Sequence, residues 1–350
     1  MSHPREIDTL RRQVQYNCDV ADAHHAGDYT LCIYLLKMRE YFRWERGLPF
    51  GAPLPSDEIG DWITEREAHW ESLEGESFRD IELDGRRFSP FDAPAINRHL
   101  LPRGLVYSGG IGANGKPHFF LGRLRERHLH DAFEVLVAED EMARDLTAPP
   151  AMSRQETIFV RRDSIRRMIW EKLEEWRWKR RESPLARAFS VYDFENDLES
   201  ALESVTDTET RFIVWHEIGE VEAGRLLGET WHEMIALLPR SRIELMLRAV
   251  RDHLADCVST LPKLLEEGSE PSIHFYFGNL QAMRRELFPS LLRAYDRWLE
   301  GDDLESLRRV AGDGADHWRR VATEAVRHFD ASRPEESADR LQGLLESSRL

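Results

Sequence analysis

The sequence predicts a mainly α-helical protein that carries a small β-rich insertion. Three observations predict this class. Apolar residues recur at helical spacing before residue 75 and after residue 163, short β-forming runs lie between them, and glycine or proline separates the segments. The predicted parts are N-terminal helices (1–75), the β-rich insertion (76–162), a helical domain (163–330) and a terminal helix or tail (331–350).

The N-terminal part is predicted to contain three helices. The first carries a stripe of apolar residues over 10–21. The second is predicted over 29–46, where Asp28 is placed to cap its N-terminus and Gly47 to end it. A third is predicted over 57–73.

The insertion is predicted to form a small sheet. It contains four runs of β-forming residues, at 105–108, 118–121, 133–137 and 157–160. Residues 110–115 match the dinucleotide fingerprint G-x-G-x-x-G, but that fingerprint requires a helix to follow, and Lys116 instead begins another strand-like run. The Asn114-Gly115 pair favours a β-hairpin, and 146–153 is predicted as a connecting loop.

The acidic balance of the chain disfavours nucleic-acid binding. The formal net charge is −16, which repels phosphate backbones over most of the surface. One basic, tryptophan-rich stretch, 161–181, opposes this trend. Because Ile165, Ile169 and Leu173 recur in it at helical spacing, we interpret it as a core helix with a solvated basic back. No nucleic-acid partner is expected.

Hydropathy and cysteine usage predict the compartment. No apolar run approaches the ~20 residues that span a bilayer, and the N-terminal segment lacks the apolar centre of a signal peptide. Cys18, Cys32 and Cys257 form no C-x-x-C pair, and we interpret them as small buried residues. The sequence therefore predicts a cytoplasmic protein with no membrane partner.

The stretch 212–224 (FIVWHEIGEVEAG) places a histidine and three glutamates in an apolar helical run. A helix turns about 100° per residue, so Glu222 falls on the solvent face, whereas His216 and Glu220 fall on the opposite side, one turn apart. Glu217 lies at the edge of that inward sector. Burying an unpaired carboxylate is costly, so these groups must share a proton, pair with a base or bind a metal.

Other stretches also place acids or imidazoles near apolar faces. His25 follows the stripe of the first helix, and Glu40 falls in the same helical row as Leu36. In the stretch RDHLADC, His253 and Asp256 are the residues expected to point inward. For Glu40, a local ion pair with a neighbouring arginine is the alternative interpretation.

These stretches supply six candidate metal ligands on separate helices: His25, Glu40, His216, Glu220, His253 and Asp256. Imidazoles and carboxylates without a thiolate pair suit iron, manganese or zinc better than a structural zinc cage. We therefore hypothesise a helical metalloprotein that holds a divalent metal between helices, with redox or hydrolytic activity. No metal motif is complete, because Glu220 stands where H-E-x-x-H needs histidine and only 229–232 has the Glu-x-x-His spacing.

The alternative hypothesis is a non-catalytic helical module for binding or regulation. In it the same groups form buried, hydrogen-bonded His/Glu pairs, and aromatic-rich surfaces bind a partner chain. The sequence contains no nucleophile elbow, P-loop or zinc-deaminase motif, so it assigns neither a reaction nor a substrate. A small molecule and a protein stay open as partners, as does a homo-oligomer.

Three blocks of sequence resemble a family of proteobacterial proteins of unknown function. They are HAGDYTLC at 25–32, HEIGE at 216–220 and RDHLADC at 251–257. The resemblance spans most of the chain up to about residue 265. It implies a stand-alone bacterial cytoplasmic protein and implies no activity.

Overall fold

The computed structural model describes residues 4–112, 115–130, 132–154, 156–179, 181–238, 241–267 and 269–350. It is mainly α-helical with a small β part, which confirms the predicted fold class. The chain divides into two compact units. Unit 1 comprises Met1–Lys172 and Asp193–Thr206, and unit 2 comprises Leu173–Tyr192 and Asp207–Leu350.

In chain order the helices are α1 (Pro4–His25), α2 (Leu31–Glu45), α3 (Ser56–Glu71), α4 (Ala93–Leu100), α5 (Arg162–Lys179), α6 (Pro184–Phe189), α7 (Leu198–Leu227), α8 (Glu229–Leu237), α9 (Arg242–Ala255), α10 (Leu261–Glu267), α11 (Glu270–Asn279), α12 (Ala282–Leu287), α13 (Pro289–Leu299), α14 (Glu305–His328) and α15 (Pro334–Ser347). The strands are β1 (Ile81–Leu83), β2 (Arg86–Phe88), β3 (Leu105–Ile111), β4 (Pro117–Leu129), β5 (Glu134–Arg144), β6 (Ala151–Arg154) and β7 (Thr157–Arg161).

The start of α2 differs from the prediction. Asp28 ends a 3₁₀ turn and pairs with Lys116, so it does not cap the helix. Gly47, with a φ of +60°, follows the helix end as predicted. Leu36 is 53% exposed although Glu40 is buried, because the first two turns of α2 stand open to solvent. The row that contains both residues is therefore not a buried face.

The four predicted β-forming runs correspond to strands of a five-stranded sheet with the order β3-β4-β5-β7-β6, although Phe133 precedes the start of β5. Neighbouring strands are antiparallel except β5 and β7. β3 and β4 form the predicted hairpin, whose turn residues 113 and 114 lie outside the described residues. The predicted loop over 146–153 is partly wrong, because Ala151 begins β6 and pairs with Val160. The adjacent prolines, Pro149 and Pro150, dominate the local signal there.

Both faces of this sheet are apolar. Val14 and Cys18 of α1 pack against one face, with Tyr107 and Phe119. The opposite face carries a second buried cluster: Val106, Phe120, Leu136, Ala138 and Phe159. Because α1 covers the sheet, the first helix and the β-rich segment share one core.

The basic stretch forms α5, as predicted. Ile165 and Ile169 are fully buried, whereas Trp178 is 90% exposed. Within unit 1, Arg162 and Arg166 both pair with Glu203. The inner face of the helix therefore belongs to the core. The predicted solvated basic back is partly wrong, because Arg162 and Arg167 are buried and make their ion pairs or hydrogen bonds inside unit 1.

Unit 2 is built from helices around one large apolar core. Trp231 and Trp318 are its largest fully buried side chains. α8 begins directly after Gly228, which has a φ of +73°. The end of the chain forms α15, whose Leu341 and Leu345 are fully buried in the same core.

The structure agrees with the prediction from hydropathy but only partly with the prediction that the cysteines are buried. Among the described residues, no helix combines the length and the apolarity needed to span a bilayer. Cys18 and Cys257 are buried, but Cys32 is exposed. The predicted burial of Cys32 is wrong because this residue lies in the open first turn of α2.

One side chain closes the outer edge of the sheet. β3 is an edge strand, and Asn97 of α4 lies against it. The Asn97 amide nitrogen donates a 2.8 Å hydrogen bond to the carbonyl oxygen of Tyr107, and the Tyr107 backbone N–H donates a 2.9 Å bond to the amide oxygen. The buried amide thus satisfies, at Tyr107, the backbone groups that a further strand would otherwise bind.

We expect Asn97→Ala to destabilise the protein by about 2 kcal/mol, because two buried hydrogen bonds are lost and two backbone groups are left unpaired. Denaturant unfolding followed by circular dichroism measures this change. The control is Asn196→Ala, at an exposed asparagine, which should change stability little. Equal effects of the two variants would contradict this role for Asn97.

Candidate functional site

The candidate site lies in unit 2, where α7 crosses the end of α9. The two backbones approach each other at Gly219, since a Cβ atom at this position would lie 2.5 Å from the carbonyl oxygen of Ala255. Nearby, the Ser259 hydroxyl donates a 2.6 Å hydrogen bond to the carbonyl oxygen of Trp215. Side chains on either side of Gly219 are therefore held directly against the end of α9.

A π-helical turn, Asp256–Thr260, lies between α9 and α10. Single π turns within α-helices occur frequently at functional sites. α14 packs closely on this turn, because a Cβ atom at Gly314 would lie 2.8 Å from the Cys257 sulfur. Asp256, the first residue of the turn, is fully buried. The crossing thus places a carboxylate in the interior of unit 2.

His216 lies between two carboxylates. Its Nδ1 atom is 2.8 Å from Oδ1 of Asp256, and its Nε2 atom is 3.4 Å from Oε1 of Glu220. The histidine side chain is 28% exposed and the Asp256 side chain 1% exposed. Both ring nitrogens therefore face an acid, on opposite sides of the imidazole.

Asp256 accepts hydrogen bonds from several further donors. The Thr260 hydroxyl donates a 3.1 Å bond to Oδ1, and the Tyr276 hydroxyl donates a 2.7 Å bond to Oδ2. The Arg284 guanidinium also donates to Oδ2. A buried carboxylate is stable only with such partners, and Asp256 has them on both oxygens.

Arginine also balances the second carboxylate. Arg251 donates a 2.9 Å hydrogen bond to Oε1 of Glu220 and a 3.2 Å bond to Asp252. We call the whole set the His216 cluster: His216, Glu217, Glu220, Arg251, Asp252, Asp256, Tyr276 and Arg284. Its four acids and two arginines give a formal charge of −4 + 2 = −2. Protonation of His216 and of one acid would therefore make the cluster neutral.

The surroundings of His216 and Glu220 shift their pKa values in opposite directions. Burial lowers the pKa of His216, but the hydrogen bond to Glu220 and the charges of Glu220 and Glu217 outweigh burial and raise it above its ordinary value. Burial raises the pKa of Glu220, but His216 and Arg251 outweigh it and lower it to about 2. The pair therefore favours a protonated imidazole beside an ionised carboxylate.

Glu217 is more deeply placed than the sequence predicted. It is 9% exposed, and is buried more completely than His216 or Glu220, because α7 packs on neighbouring helices along this side. Burial, reinforced by the negative charge of Glu220, raises the pKa of Glu217 to about 7. The raised pKa of Glu217 thus places a change of its charge near neutral pH.

His253 has a different role from His216. It is fully buried, and its ring stacks on Trp318 with 5.0 Å between the centroids. Its Nε2–H donates a 2.9 Å hydrogen bond to the carbonyl oxygen of Arg284. Burial lowers the pKa of His253 well below its ordinary value. His253 is therefore a neutral core residue that supports the backbone of Arg284.

The two remaining candidate ligands belong to unit 1. His25 lies 3.3 Å from the Asp28 carboxylate. Glu40 is buried, and its two oxygens pair with Arg39 at 2.9 Å and with Arg43 at 3.1 Å. Local arginines therefore balance Glu40, which is the alternative interpretation of this residue.

Of the six candidate ligands, the structure brings His216, Glu220 and Asp256 into contact. The two acids lie on opposite sides of the ring, so one ion could not bind all three groups. Across the described parts of the chain, no group of three or more histidine, cysteine or acidic residues has the arrangement of a metal site. The metal site stays a prediction.

Several residues of the site were not predicted from the sequence. Arg284 and Tyr276 lie 28 and 20 positions from Asp256, and nothing in the intervening sequence indicates their contact. Outside the His216 cluster, Glu209 of α7 was also not predicted to be buried; it accepts a 2.7 Å hydrogen bond from Ser272, and burial raises its pKa to about 7. The sequence does show that these charged residues lie in apolar helical runs. This indicates that each needs a partner when buried, but it does not identify the partner.

Fold and site together define a mainly helical protein in which a partly buried imidazole lies between acids that are paired with arginines. The chain belongs to a family of unknown function, DUF6866. The family model of the C-terminal domain matches residues 166–348, and that of the N-terminal domain matches residues 9–161. No curated protein and no solved structure matches the chain. The proteobacterial setting stays a prediction.

The close helix crossing makes Gly219 sensitive to substitution. We expect Gly219→Ala to destabilise the protein by about 2 kcal/mol, because the new methyl group meets backbone that cannot move cheaply. Denaturant unfolding measures the effect. Gly224→Ala is the matched control on the same helix, where the nearest atom lies 3.8 Å from the added Cβ, and where alanine should be neutral or stabilising. Effects of the same sign and size would contradict the crossing.

The burial of Glu217 predicts a dependence of stability on pH. Its pKa is about 7 in the folded protein and ~4.3 in an unfolded chain, so the folded state binds the extra proton. The stability that this group contributes is therefore present at low pH and is lost as pH rises from about 4.3 to about 7.

Glu217→Gln removes this loss, because glutamine stays uncharged. We expect the variant to gain about 2 kcal/mol relative to the wild type between pH 5 and pH 8, in denaturant unfolding at both values. Glu222→Gln, at an exposed position of the same helix, should show no such change. A constant difference between Glu217→Gln and wild type would show that Glu217 does not titrate as described.

Proposed function

We propose that this protein is a non-catalytic helical module for binding or regulation, in which the His216 cluster holds unit 2 together in a proton-dependent manner. One observation carries this proposal. Both ring nitrogens of His216 face carboxylates, and each of these carboxylates also binds an arginine. A doubly engaged imidazolium joins α7 to the π turn after α9.

This arrangement favours a structural role over acid–base catalysis. A catalytic histidine needs one ring nitrogen directed at the substrate while the other is oriented by a neighbour. In His216 the second nitrogen is directed at Glu220 instead. The raised pKa of His216 and the lowered pKa of Glu220 also favour a stable ion pair over a base poised to accept a proton.

The metalloprotein remains the competing hypothesis, and the same geometry argues against it. An ion bound at one ring nitrogen of His216 could take only the carboxylate on that side as a further ligand, because the other carboxylate would hold the ring through its second N–H. It must also replace Arg251 or Arg284, which already balance Glu220 and Asp256. The buried pairing of the alternative hypothesis requires neither change.

The binding part of the proposal rests on surface apolar residues in unit 1. The first two turns of α2 expose four large aliphatic side chains: Leu31, Ile33, Leu35 and Leu36. Exposed apolar patches on a soluble fold are typical of interaction sites. A protein partner thus suits this surface, and a cytoplasmic setting agrees with the free thiol of Cys32 on the same helix.

Titration of His216 tests the proposal. We expect nuclear magnetic resonance of imidazole-labelled protein to give His216 a pKa above its ordinary value of ~6.5. Glu220→Gln should lower that pKa, because the charged partner is lost, whereas Glu222→Gln should leave it unchanged. The resonance is assigned by its disappearance in His216→Gln. A pKa below the ordinary value in the wild type would contradict the proposal.

Elemental analysis separates the proposal from the metalloprotein. We expect wild type and Glu220→Gln to have the same metal content after purification. A stoichiometric transition metal in the wild type that is lost in Glu220→Gln would favour the metal site over the imidazolium pairing.

A further inference from the structure

Unit 1 contains a cavity of about 410 Å³. None of the residues that line it belongs to the His216 cluster. Its walls come from α4 and from each of the five strands β3 to β7. This volume is within the range of small-molecule sites, ~300 to 1,000 Å³.

The curvature of the sheet creates this cavity. β3 and β6 are the two edge strands, yet Arg154 of β6 donates a 2.7 Å hydrogen bond to the carbonyl oxygen of Ile111 in β3. Farther along the same strands, the Ser108 hydroxyl lies 3.8 Å from the Met152 sulfur. The edge strands β3 and β6 are therefore separated by about the length of one side chain. The five strands, together with α4, form the wall of the cavity.

Gly110 provides the space for Arg154. A Cβ atom at position 110 would lie 1.8 Å from the Arg154 guanidinium carbon, so the guanidinium rests where any other side chain would be. Gly110 is the first glycine of the G-x-G-x-x-G match. Burial lowers the pKa of Arg154. The glycine thus positions a partly desolvated cation at the cavity wall.

The cavity is basic in an otherwise acidic protein. Arg98 and Arg127 line it together with Arg154, and Glu134 is the acid among the lining residues. The formal charge of these four side chains is +3 − 1 = +2, against −16 for the whole chain. Arg127 pairs with Glu134 at 2.8 Å, whereas Arg98 forms no ion pair with any described residue. Guanidinium groups bind carboxylates and phosphates by paired hydrogen bonds.

Aromatic surface lies beside these cations. Phe91 lines the cavity and is 38% exposed, while its ring packs 5.4 Å from that of Phe119. Phe159 lines the floor and is almost fully buried. The cavity therefore presents a flat apolar surface next to two guanidinium groups that lack a carboxylate partner in its wall.

We propose that this cavity binds a small organic anion that carries a carboxylate or phosphate on a planar ring. Arg98 and Arg154 bind the oxyanion, and Phe91 contacts the ring. The inference is independent of the His216 cluster and goes beyond the function proposed above, because it identifies the chemical class of a ligand.

Isothermal titration calorimetry of the full chain tests this site with two matched pairs of probes. Phenyl phosphate is compared with phenol, and benzoate with benzyl alcohol. We expect saturable binding of at least one anion, and binding of its neutral analogue that is weaker by about tenfold or more, because the charged hydrogen bonds are lost. The pair that responds distinguishes a phosphate from a carboxylate ligand.

Variants locate the binding. Arg98→Ala and Arg154→Ala should each weaken binding of the anion by about tenfold. Gly110→Ala keeps every arginine but displaces the Arg154 guanidinium, so it should also weaken binding. Arg123→Ala is the control, because Arg123 lies on β4 outside the cavity and pairs with Asp140. Circular dichroism verifies that each variant is folded.

The proposal is overturned if neither anion binds saturably, if the neutral analogues bind as tightly, or if Arg98→Ala and Arg154→Ala bind like the Arg123→Ala control. Failure here would leave the titration of His216 unaffected, because the two sites share no residue.

Discussion

The close approach of α7 and α9 at Gly219 is the constraint on which the site in unit 2 depends. Because residue 219 has no side chain, the two backbones meet, and His216 reaches a carboxylate that is buried beneath a π turn. A side chain at this crossing would meet the backbone of Ala255 and push the two helices apart. The sequence HEIGE therefore places the glycine of the helix contact and the His216–Glu220 pair within about one helical turn.

Burial of charge is acceptable at several sites in this protein because arginine accompanies the buried acid. In unit 1, Glu141 is fully buried and pairs with Arg161 at 2.8 Å. Burial raises the pKa of Glu141, but the charges of Arg161 and Arg144 outweigh it and lower the pKa. Arg161 also lies over the Phe120 ring, 4.5 Å from its centroid. Pairs of this kind contribute less to stability than to a unique arrangement of helices and strands, a role we infer for both units.

Much of the fold and part of the site follow from local patterns. The periodicity of apolar residues predicted the helices, and β-forming runs predicted four strands of the sheet, but β6 was missed because its pairing partner is what defines it. In the site, rotation about the helix predicted that His216 and Glu220 share a face. It underestimated the burial of Glu217, since exposure depends on helices that come from other parts of the chain.

The sequence by itself determined the class of fold, the acidic surface and the fact that imidazole and carboxylate groups must find partners in the interior. Only the tertiary structure decided which partners these are. It joined Asp256 to Arg284 across 28 positions, and it placed Arg154 in the space left by Gly110. The physical reason is that helical and strand periodicity depends on residues that are neighbours along the chain. Charge pairing depends on which distant parts of the backbone approach each other, and the spacing of residues within one segment does not indicate this.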